Sequence, residues 1–320
     1  MKYNPIIVIA GEPNSVFVEI FIKTLKKKVF KSPIILICSK KIFLKQSKAL
    51  NLKLNINEIS KEDLFLKKKK LNKLNFINIE YSQKKAFEKI SSKSSKYITK
   101  CLDVGLELMK RGVSKKFING PIAKEKFLKN KFVGITEYLA HKTNIKNYAM
   151  VIFNKKLSVS PIITHEPLKY VAKKIDKTKI KKKIKIIDKF WKDHFNKKAK
   201  IAITGLNPHC ESIDKFNEEK KIILPAIKSL KKSKINIKGP LSADTIFTKS
   251  NREKYDLIVG MYHDQVLTPI KTLYEYDAIN LTVGLPFIRV SPDHGPNTNM
   301  LGKNKSNITS LLQSIQFLDY

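Results

Sequence analysis

Short apolar runs alternate with longer amphipathic stretches along most of the chain, and this alternation predicts a layered α/β protein. The runs typical of strands are Ile6–Ala10, Ile34–Cys38, Phe117–Asn119, Tyr148–Phe153, Leu157–Ile163, Lys200–Thr204, Leu257–Gly260 and Ala278–Val283. The stretches typical of helices are Val16–Val29, Ser95–Arg111, Ile180–Phe195, Asn217–Lys232 and Asn307–Phe317. The stretch Lys40–Lys85 has no clear period, and its segment LFLKKKKLNKLNF, residues 64–76, resembles a solvated loop or a short amphipathic hairpin.

The organisation of the chain predicts one two-lobed unit whose lobes are interleaved. No internal repeat and no Pro- or Gly-rich linker divides the 320 residues. We expect one lobe from residues 1–125 and 275–320 and the other from residues 126–274. The glycines are never spaced as G-x-G, so the Rossmann dinucleotide fingerprint is absent. Any nucleotide must therefore bind to another kind of scaffold.

Three of the six histidines come just after apolar, strand-like runs. They are His165 in SPIITHEPLK, His209 in IAITGLNPHCES and His263 in YDLIVGMYHDQ. In an α/β protein, the ends of strands are where side chains converge on a ligand. Each histidine alone is more simply explained as an ordinary loop residue, but three in the same position favour a divalent-metal site. Zn²⁺ suits three imidazoles, and Mg²⁺, Mn²⁺ or Co²⁺ suits a substrate that adds oxygen ligands.

A second set of polar residues follows His263 at intervals of nine residues: Lys271, Asn280 and Arg289. Such donors bind a phosphate or a carboxylate, and Arg offers a bidentate pair. Arg289 stands in the apolar segment LPFIRV of a chain with only three arginines, which indicates a task that Lys could not perform. A structural role, in which Arg289 caps buried carbonyl groups, is the alternative.

Three further polar residues adjoin these sets. Asp244, in GPLSADTIF, either caps a helix or faces a cavity. Asp264 follows His263 and either supports that ring or takes part in the chemistry. Both are candidate proton acceptors, and Asn207 is placed to orient a hydroxyl or a nicotinamide amide. The residues do not select one base.

The net charge of +37 raises the possibility of nucleic-acid binding. Proteins that recognise phosphates and bases rely on Arg, yet almost all 64 basic residues here are Lys, spread over nearly every predicted helix. This composition, rich also in Asn and Ile, is typical of drift toward AT-rich codons. We therefore expect no specific nucleic-acid function, only non-specific adhesion to polyanions at low salt.

No apolar run approaches the length of a membrane helix, and the first residues resemble a strand rather than a signal peptide. The three cysteines are far apart in sequence and odd in number, so a disulfide framework is not expected. These features predict a cytoplasmic protein without a membrane partner.

Several segments together resemble one enzyme family, from residue 6 to about residue 306. They are GEP, NGPIAKEKF, GITEYLA, THEPL, LNPHCES, KGPLSADTIF, MYHDQVLTPIK, NLTVGLPFIRVSPDHG and LGKNKSN, in this order. The chain thereby resembles the 4-hydroxythreonine-4-phosphate dehydrogenases of vitamin B6 biosynthesis.

The resemblance implies a two-lobed α/β/α fold similar to the isocitrate and isopropylmalate dehydrogenases, and a homodimer with a shared active site. It implies His165, His209 and His263 as metal ligands. Thr136, Lys271, Asn280 and Arg289 are then the residues that contact the substrate. It further implies oxidation of 4-phosphooxy-L-threonine by NAD or NADP to 2-amino-3-oxo-4-phosphooxybutanoate. That product decarboxylates to 3-amino-2-oxopropyl phosphate, with Asp244, Asp264 and Lys271 as candidate catalytic residues.

The chain departs from the family pattern at two places that bear on the site. The family's G-H-T-E segment contains Ile135 instead of a substrate-contacting His, so only Thr136 is carried over. The loop of residues 293–302 also differs, and its counterpart in related dehydrogenases lies near the adenine half of the cofactor. Asp293, His294 and Gly295, together with Asn207, are therefore the candidate cofactor residues, and the choice between NAD and NADP stays open.

Two other functions remain in view. Ile135 leaves open a dehydrogenase of another phosphorylated hydroxy acid, such as threonate or erythronate 4-phosphate. The net charge leaves open a non-catalytic, polyanion-binding protein on the same scaffold. The second function is disfavoured, because such a protein has no need to keep His165, His209, His263 and Arg289.

Overall fold

The computed structural model describes residues 3–66, 70–128, 132–211 and 216–320. The chain divides into two compact units. Unit 1 comprises Met1–Leu139 and Pro286–Tyr320, and unit 2 comprises Ala140–Leu285.

Unit 1 contains parallel strands in the order β3-β4-β2-β1-β5-β12. These strands are β1 (Ile6–Ile9), β2 (Ile34–Cys38), β3 (Asn57–Glu58), β4 (Leu74–Asn78), β5 (Lys116–Asn119) and β12 (Ile288–Pro292). Every residue of β1 and β2 is buried, which explains their unbroken apolar sequences, IIVI and IILIC.

The helices of unit 1 lie between these strands in sequence. They are α1 (Phe17–Lys27), α2 (Lys40–Ala49), α3 (Lys61–Phe65), α4 (Ser95–Lys110), α5 (Lys124–Leu128), α6 (Ile135–Lys142, which runs past the unit boundary) and α12 (Thr309–Leu318). Helix α4 packs closely on the sheet through Gly105. A Cβ atom at that position would lie 2.8 Å from Ile9 Cδ1 and 3.0 Å from Phe117 Cε2, so any larger residue would require these side chains to shift.

The segment of residues 64–76, expected to form a solvated loop or a short amphipathic hairpin, begins in α3 and ends in β4, so that expectation is wrong at its two ends. The whole stretch Lys40–Lys85 has more regular structure than its sequence indicates. It contains α2, β3, α3 and β4, and β4 is a buried strand parallel to β2. Residues 67–69 of the stretch lie outside the described part of the chain. Helix α2 begins at a real cap, since the Ser39 side chain accepts a hydrogen bond from the Ile42 amide. Because α2 contains many lysines, its sequence does not show clearly the apolar face on which Ile42 and Phe43 are buried.

Unit 2 contains strands in the order β11-β6-β7-β10-β8-β9. They are β6 (Ala149–Phe153), β7 (Ser158–Ile163), β8 (Ile201–Thr204), β9 (Ile237–Leu241), β10 (Leu257–Tyr262) and β11 (Ile279–Val283). The pairs β11/β6 and β6/β7 are antiparallel, whereas β7, β10, β8 and β9 run parallel to their neighbours.

The helices of unit 2 begin after α6. They are α7 (Val171–Lys174), α8 (Lys177–Phe195), α9 (Leu224–Lys232, preceded by a π-helical turn at Glu219–Ile223), α10 (Lys249–Arg252) and α11 (His263–Tyr274). Helix α8 begins where the Asp176 side chain accepts a hydrogen bond from the Lys179 amide, and it ends at Asn196 in the left-handed conformation. Val266 and Ile270 of α11 are fully buried against the strands.

The expected α/β class is confirmed. The strands expected at Ile34–Cys38 and Leu157–Ile163 are present, the second beginning one residue later. Strands β9 and β12 and helix α11 were not predicted. None of the helices in the described part of the chain is both long enough and apolar enough to cross a membrane.

Candidate active site

The three histidines follow three neighbouring strands of unit 2. Strands β7, β10 and β8 are parallel, with Tyr262 opposite Ile163 and Val259 opposite Ile203. His165 comes two residues after β7, and His263 opens α11 directly after β10. His209 lies in a 3₁₀ turn at Pro208–Cys210, a few residues after β8. All three histidines therefore follow strand ends at one edge of the sheet, where ligands of open α/β sheets bind.

Two of the histidines are in contact. The ring centroids of His165 and His263 are 5.9 Å apart, with 41° between the ring planes. Both rings lie at the ends of their strands, and a metal shared by the pair stays a prediction. The Nδ1 atom of His263 lies 2.6 Å from Asp264 Oδ1, which orients the ring and leaves Nε2 for a ligand.

His209 does not complete a metal cluster in this structure. Its Nδ1 lies 3.7 Å from Asp244 Oδ2, and its side chain is largely exposed. Within the described residues, no group of three or more His, Cys, Asp or Glu side chains is arranged to hold a metal ion. The three-histidine metal site therefore stays a prediction.

The acids beside the histidines have different surroundings. The nearby Ser242 hydroxyl lowers the pKa of Asp244, and His209 lowers it further. Asp264 is mostly exposed in the first turn of α11. Asn207 donates hydrogen bonds from Nδ2 to Glu218 Oε2 and Glu219 Oε2, both at 3.0 Å. Its amide is therefore engaged by carboxylates of its own unit.

Arg289 is the centre of a polar cluster in unit 1. Although only 1% exposed, its Nε donates to Asn119 Oδ1 at 2.7 Å and its Nη1 to Thr136 Oγ1 at 3.2 Å. Burial lowers the pKa of Arg289 to about 10, and the charge of Glu137 opposes this effect. Arg289 thus links β12 to β5 and to the first turn of α6, next to Ile135.

Lys271 and Asn280 belong to unit 2. Lys271 is half-buried near the end of α11, and Asn280 is in β11, opposite Ile152 of β6. The Oδ1 atom of Asn280 is buried and has no hydrogen-bond partner among the described residues. Buried acceptors are normally satisfied, so this atom is available to a donor from a ligand or a water.

The candidate cofactor residues of the late loop are in unit 1. His294 Nδ1 lies 2.9 Å from the Gly295 carbonyl oxygen, and the Asp293 amide donates to Ser310 Oγ at 2.8 Å. Gly295 borders a cavity of about 1280 Å³, which is large enough for part of a dinucleotide. The other lining residues come from 84–90, 122–126 and 296–301, and they include Lys84, Lys85, Lys89, Lys124 and Lys126.

Sequence reasoning missed Asn119, Glu219 and Gln265, which hold site residues in place. Asn119 and Gln265 lie in the quoted segments NGPIAKEKF and MYHDQ, which was the available signal. Glu219 gave no signal, because its segment reads as an ordinary amphipathic helix.

Comparison with known proteins gives a consistent result. Residues 30–318 match the family model described as pyridoxal phosphate biosynthetic protein PdxA. A protein of Sulfurihydrogenibium sp., named 4-hydroxythreonine-4-phosphate dehydrogenase, is 39% identical over 317 residues, covering 96% of this chain and 94% of the relative. The D-threonate 4-phosphate dehydrogenase of Salmonella typhimurium is 29% identical over 321 residues, covering 99% and 98% of the two chains.

Solved structures agree with these matches. The crystal structure of 4-hydroxythreonine-4-phosphate dehydrogenase from Klebsiella pneumoniae has a TM-score of 0.84 at 28% identity, covering 98% of both chains. The isocitrate dehydrogenase of Methylococcus capsulatus shares the fold alone, with a TM-score of 0.50 at 10% identity over 97% of this chain and 83% of that one. The expected similarity of fold to the isocitrate dehydrogenases is thereby confirmed.

Proposed function

This chain belongs to the PdxA family and is an oxidoreductase, and on that premise we propose that it oxidises 4-phosphooxy-L-threonine with NAD or NADP. The product, 2-amino-3-oxo-4-phosphooxybutanoate, then loses carbon dioxide to give 3-amino-2-oxopropyl phosphate. The observation that carries this proposal is the position of His165, His263 and His209 after three adjacent parallel strands. We propose that all three hold a divalent ion.

The reaction needs a hydride acceptor, a proton acceptor and an electron sink. The secondary alcohol gives its hydride to the nicotinamide and its hydroxyl proton to a base, and the carboxyl carbon–carbon bond then breaks. A divalent ion would lower the pKa of the substrate hydroxyl and polarise the new ketone. Asp244 and Asp264 are the candidate bases, and the lowered pKa of Asp244 makes its carboxylate a weaker base than an ordinary aspartate. Lys271 is the third candidate catalytic residue.

The protein's own groups bind and orient the reactants in this proposal. Lys271 and Arg289 neutralise the anionic substrate, and the buried Oδ1 atom of Asn280 accepts a hydrogen bond from it. Thr136 also contacts the substrate, and the hydrogen bond that its Oγ1 accepts from Arg289 Nη1 orients its side chain. Asp293, His294 and Gly295, beside the cavity of unit 1, are the candidate residues for the dinucleotide. Asn207 is a separate candidate, for orienting a hydroxyl or the nicotinamide amide.

The second candidate substrate is D-threonate 4-phosphate or a related aldonate phosphate. It is favoured by Ile135, which replaces a substrate-contacting His of the family, and by the match to the Salmonella typhimurium enzyme. Both candidates keep the phosphate and the secondary alcohol and differ at the carbon that carries the amino group.

The first test is NADH or NADPH formation by metal-reconstituted protein, with and without a chelator, on 4-phosphooxy-L-threonine and on the threonate and erythronate phosphates. We expect chelator-sensitive turnover that is fastest with 4-phosphooxy-L-threonine. His209→Ala should abolish metal binding and turnover, whereas His194→Ala, a histidine stacked on Phe190 in α8, should leave both intact. A wide preference for an aldonate phosphate would mean that 4-phosphooxy-L-threonine is not the substrate. Turnover that resists the chelator would contradict the proposed metal site.

We further propose a homodimer in the cytoplasm, with the active site shared between the subunits. The three free cysteines support a reducing compartment. Light scattering should give twice the chain's 36.8 kDa, and a monomeric mass at full activity would contradict the dimer.

A further inference from the structure

The turn that carries His209, residues 205–210, has a strained backbone. His209 and Cys210 have φ angles of 53° and 62°, in the left-handed region that residues with a side chain rarely occupy. Two such residues in succession persist only where their surroundings hold them in place. The groups that do so can be identified.

Glu219 holds the turn from one side. Its Oε1 accepts hydrogen bonds from the amides of Leu206 at 2.7 Å and Asn207 at 2.8 Å, and its Oε2 accepts from Asn207 Nδ2 at 3.0 Å. Glu219 is only 1% exposed and opens the π-helical turn before α9. Insertions of this kind frequently mark functional sites.

Gln265 holds the turn from the other side. Its Oε1 accepts from the Met261 amide at 2.7 Å and from Thr204 Oγ1 at 2.8 Å, and its Nε2 donates to the Gly205 carbonyl at 2.9 Å. This single side chain therefore joins the end of β8 to the end of β10. It lies two residues after His263.

The packing inside the turn leaves no spare room. A Cβ atom at Gly205 would lie 2.8 Å from Cys210 Sγ and 3.0 Å from Glu219 Oε1. The Gly205 amide donates to the Leu241 carbonyl at 3.0 Å. The backbone that leads to His209 is thus fixed by neighbours at each of its first three residues.

We propose that Glu219 and Gln265 are positioning residues, which lock the turn of residues 205–210 and hold His209 in a set relation to His263. The positioning of His209 as a metal ligand rests on the proposed function, whereas the locking of the turn does not. In metal sites, the groups that orient a metal ligand commonly affect the affinity for the metal, although they do not touch it. Neither residue needs to touch the substrate.

The first arm of the test needs no metal. Hydrogen–deuterium exchange of the metal-free protein should be at least about tenfold faster in the peptide of residues 204–211 in Glu219→Ala, because two charged hydrogen bonds to its amides are lost. Glu219→Gln, which keeps one acceptor oxygen, should give an intermediate rate. Gln265→Met should also accelerate this peptide.

The matched control is Glu19→Ala in unit 1. Glu19 is equally buried and accepts a hydrogen bond from the Ser306 amide at 2.7 Å, so its loss should lower overall stability without changing exchange at residues 204–211. An unchanged exchange rate in Glu219→Ala or in Gln265→Met would overturn the role of that residue. Equal acceleration in Glu19→Ala would show a merely structural effect and overturn both.

The second arm is a Co²⁺ titration followed by visible absorbance. Affinity should fall about 10–100-fold in Glu219→Ala and disappear in His209→Ala. Unchanged Co²⁺ affinity together with a loosened turn would overturn the positioning of His209 as a ligand. Wild-type protein that binds no Co²⁺ would refute the proposed metal site instead, and the exchange measurement would still decide whether Glu219 and Gln265 lock the turn.

Discussion

At the scale of single residues, Arg289 shows why a rare arginine persists in a lysine-rich chain. Its planar group donates in two directions at once, to Asn119 and to Thr136, while fully buried. The ammonium group of Lys has neither this reach nor this geometry. The structural and the substrate-binding interpretations of Arg289 are therefore compatible, because the same side chain holds Thr136.

We expect Arg289→Lys to lower the free energy of unfolding by about 1–3 kcal/mol for each acceptor left without its donor. Urea denaturation measures the change. The control is Arg111→Lys, since Arg111 is mostly exposed and lies 3.5 Å from Glu107, and its replacement should be nearly neutral. Equal stability of the two variants would mean that Arg289 does not hold the cluster together.

Glu12 provides a pH-dependent prediction. It is 2% exposed, and burial raises its pKa, although hydrogen bonds from the Asn14 amide and Ser94 Oγ partly offset the increase. A raised pKa in the folded state means that its contribution to stability is full below the ordinary value of 4.5 and is lost as pH rises through the raised value. The carboxyl group is therefore least favourable to folding when it is charged.

Glu12→Gln removes this titration. The titration of all other groups is common to the two proteins and cancels in the difference between their Tm values. We expect the Tm of wild type minus that of Glu12→Gln to fall as the pH rises from about 4 to about 8. Calorimetry over that range measures the difference. A difference that is constant or rises with pH would show that the pKa of Glu12 is not raised.

At the scale of elements, the sequence predicted the parts whose information is local. The runs that became β7, β8 and β10 are continuous and apolar, so the strands and the histidines after them could be identified. Strand β9 was hidden by Gly239 and Pro240, and β12 by Arg289 and Pro292. The Asn119–Arg289 hydrogen bond joins residues 170 positions apart, and no periodicity encodes such a contact.

Helix α8 shows how a polar residue outside the apolar pattern determines an element. Ile180 is its first buried apolar residue, which explains the predicted start, yet the helix begins at Lys177 because of the Asp176 cap. We expect Asp176→Ala to lower the free energy of unfolding by about 1 kcal/mol. Asp193→Ala is the control, because Asp193 only pairs with Lys189 on the exposed face of the same helix and should change stability by less than about 0.5 kcal/mol. Equal effects in denaturant titrations would exclude the cap as the cause.

At the scale of the whole molecule, the net charge of +37 has a consequence for handling and binding. Ion pairs at the surface, such as Lys40–Glu58 and Lys41–Glu80, engage few of the lysines that the structure describes. We expect duplex DNA of random sequence to bind at low salt, with affinity falling about 10³-fold or more between about 50 and about 200 mM salt. Fluorescence anisotropy measures this slope. Tight binding that persists at the higher salt, without dehydrogenase activity, would favour the polyanion-binding alternative.

The path of the chain through unit 1 also affects how the protein is made. Residues 140–285 form unit 2 without interruption, whereas β12 must return to pair with β5, Ile288 opposite Lys116. A ribosome therefore releases all of unit 2 before it releases the last strand of unit 1. In the nascent chain, β5 keeps an open edge throughout that interval, and an open edge attracts other strands. Unit 2 can therefore finish folding before unit 1. The open edge of β5 in unit 1 needs protection from other strands until β12, which carries Arg289, leaves the ribosome.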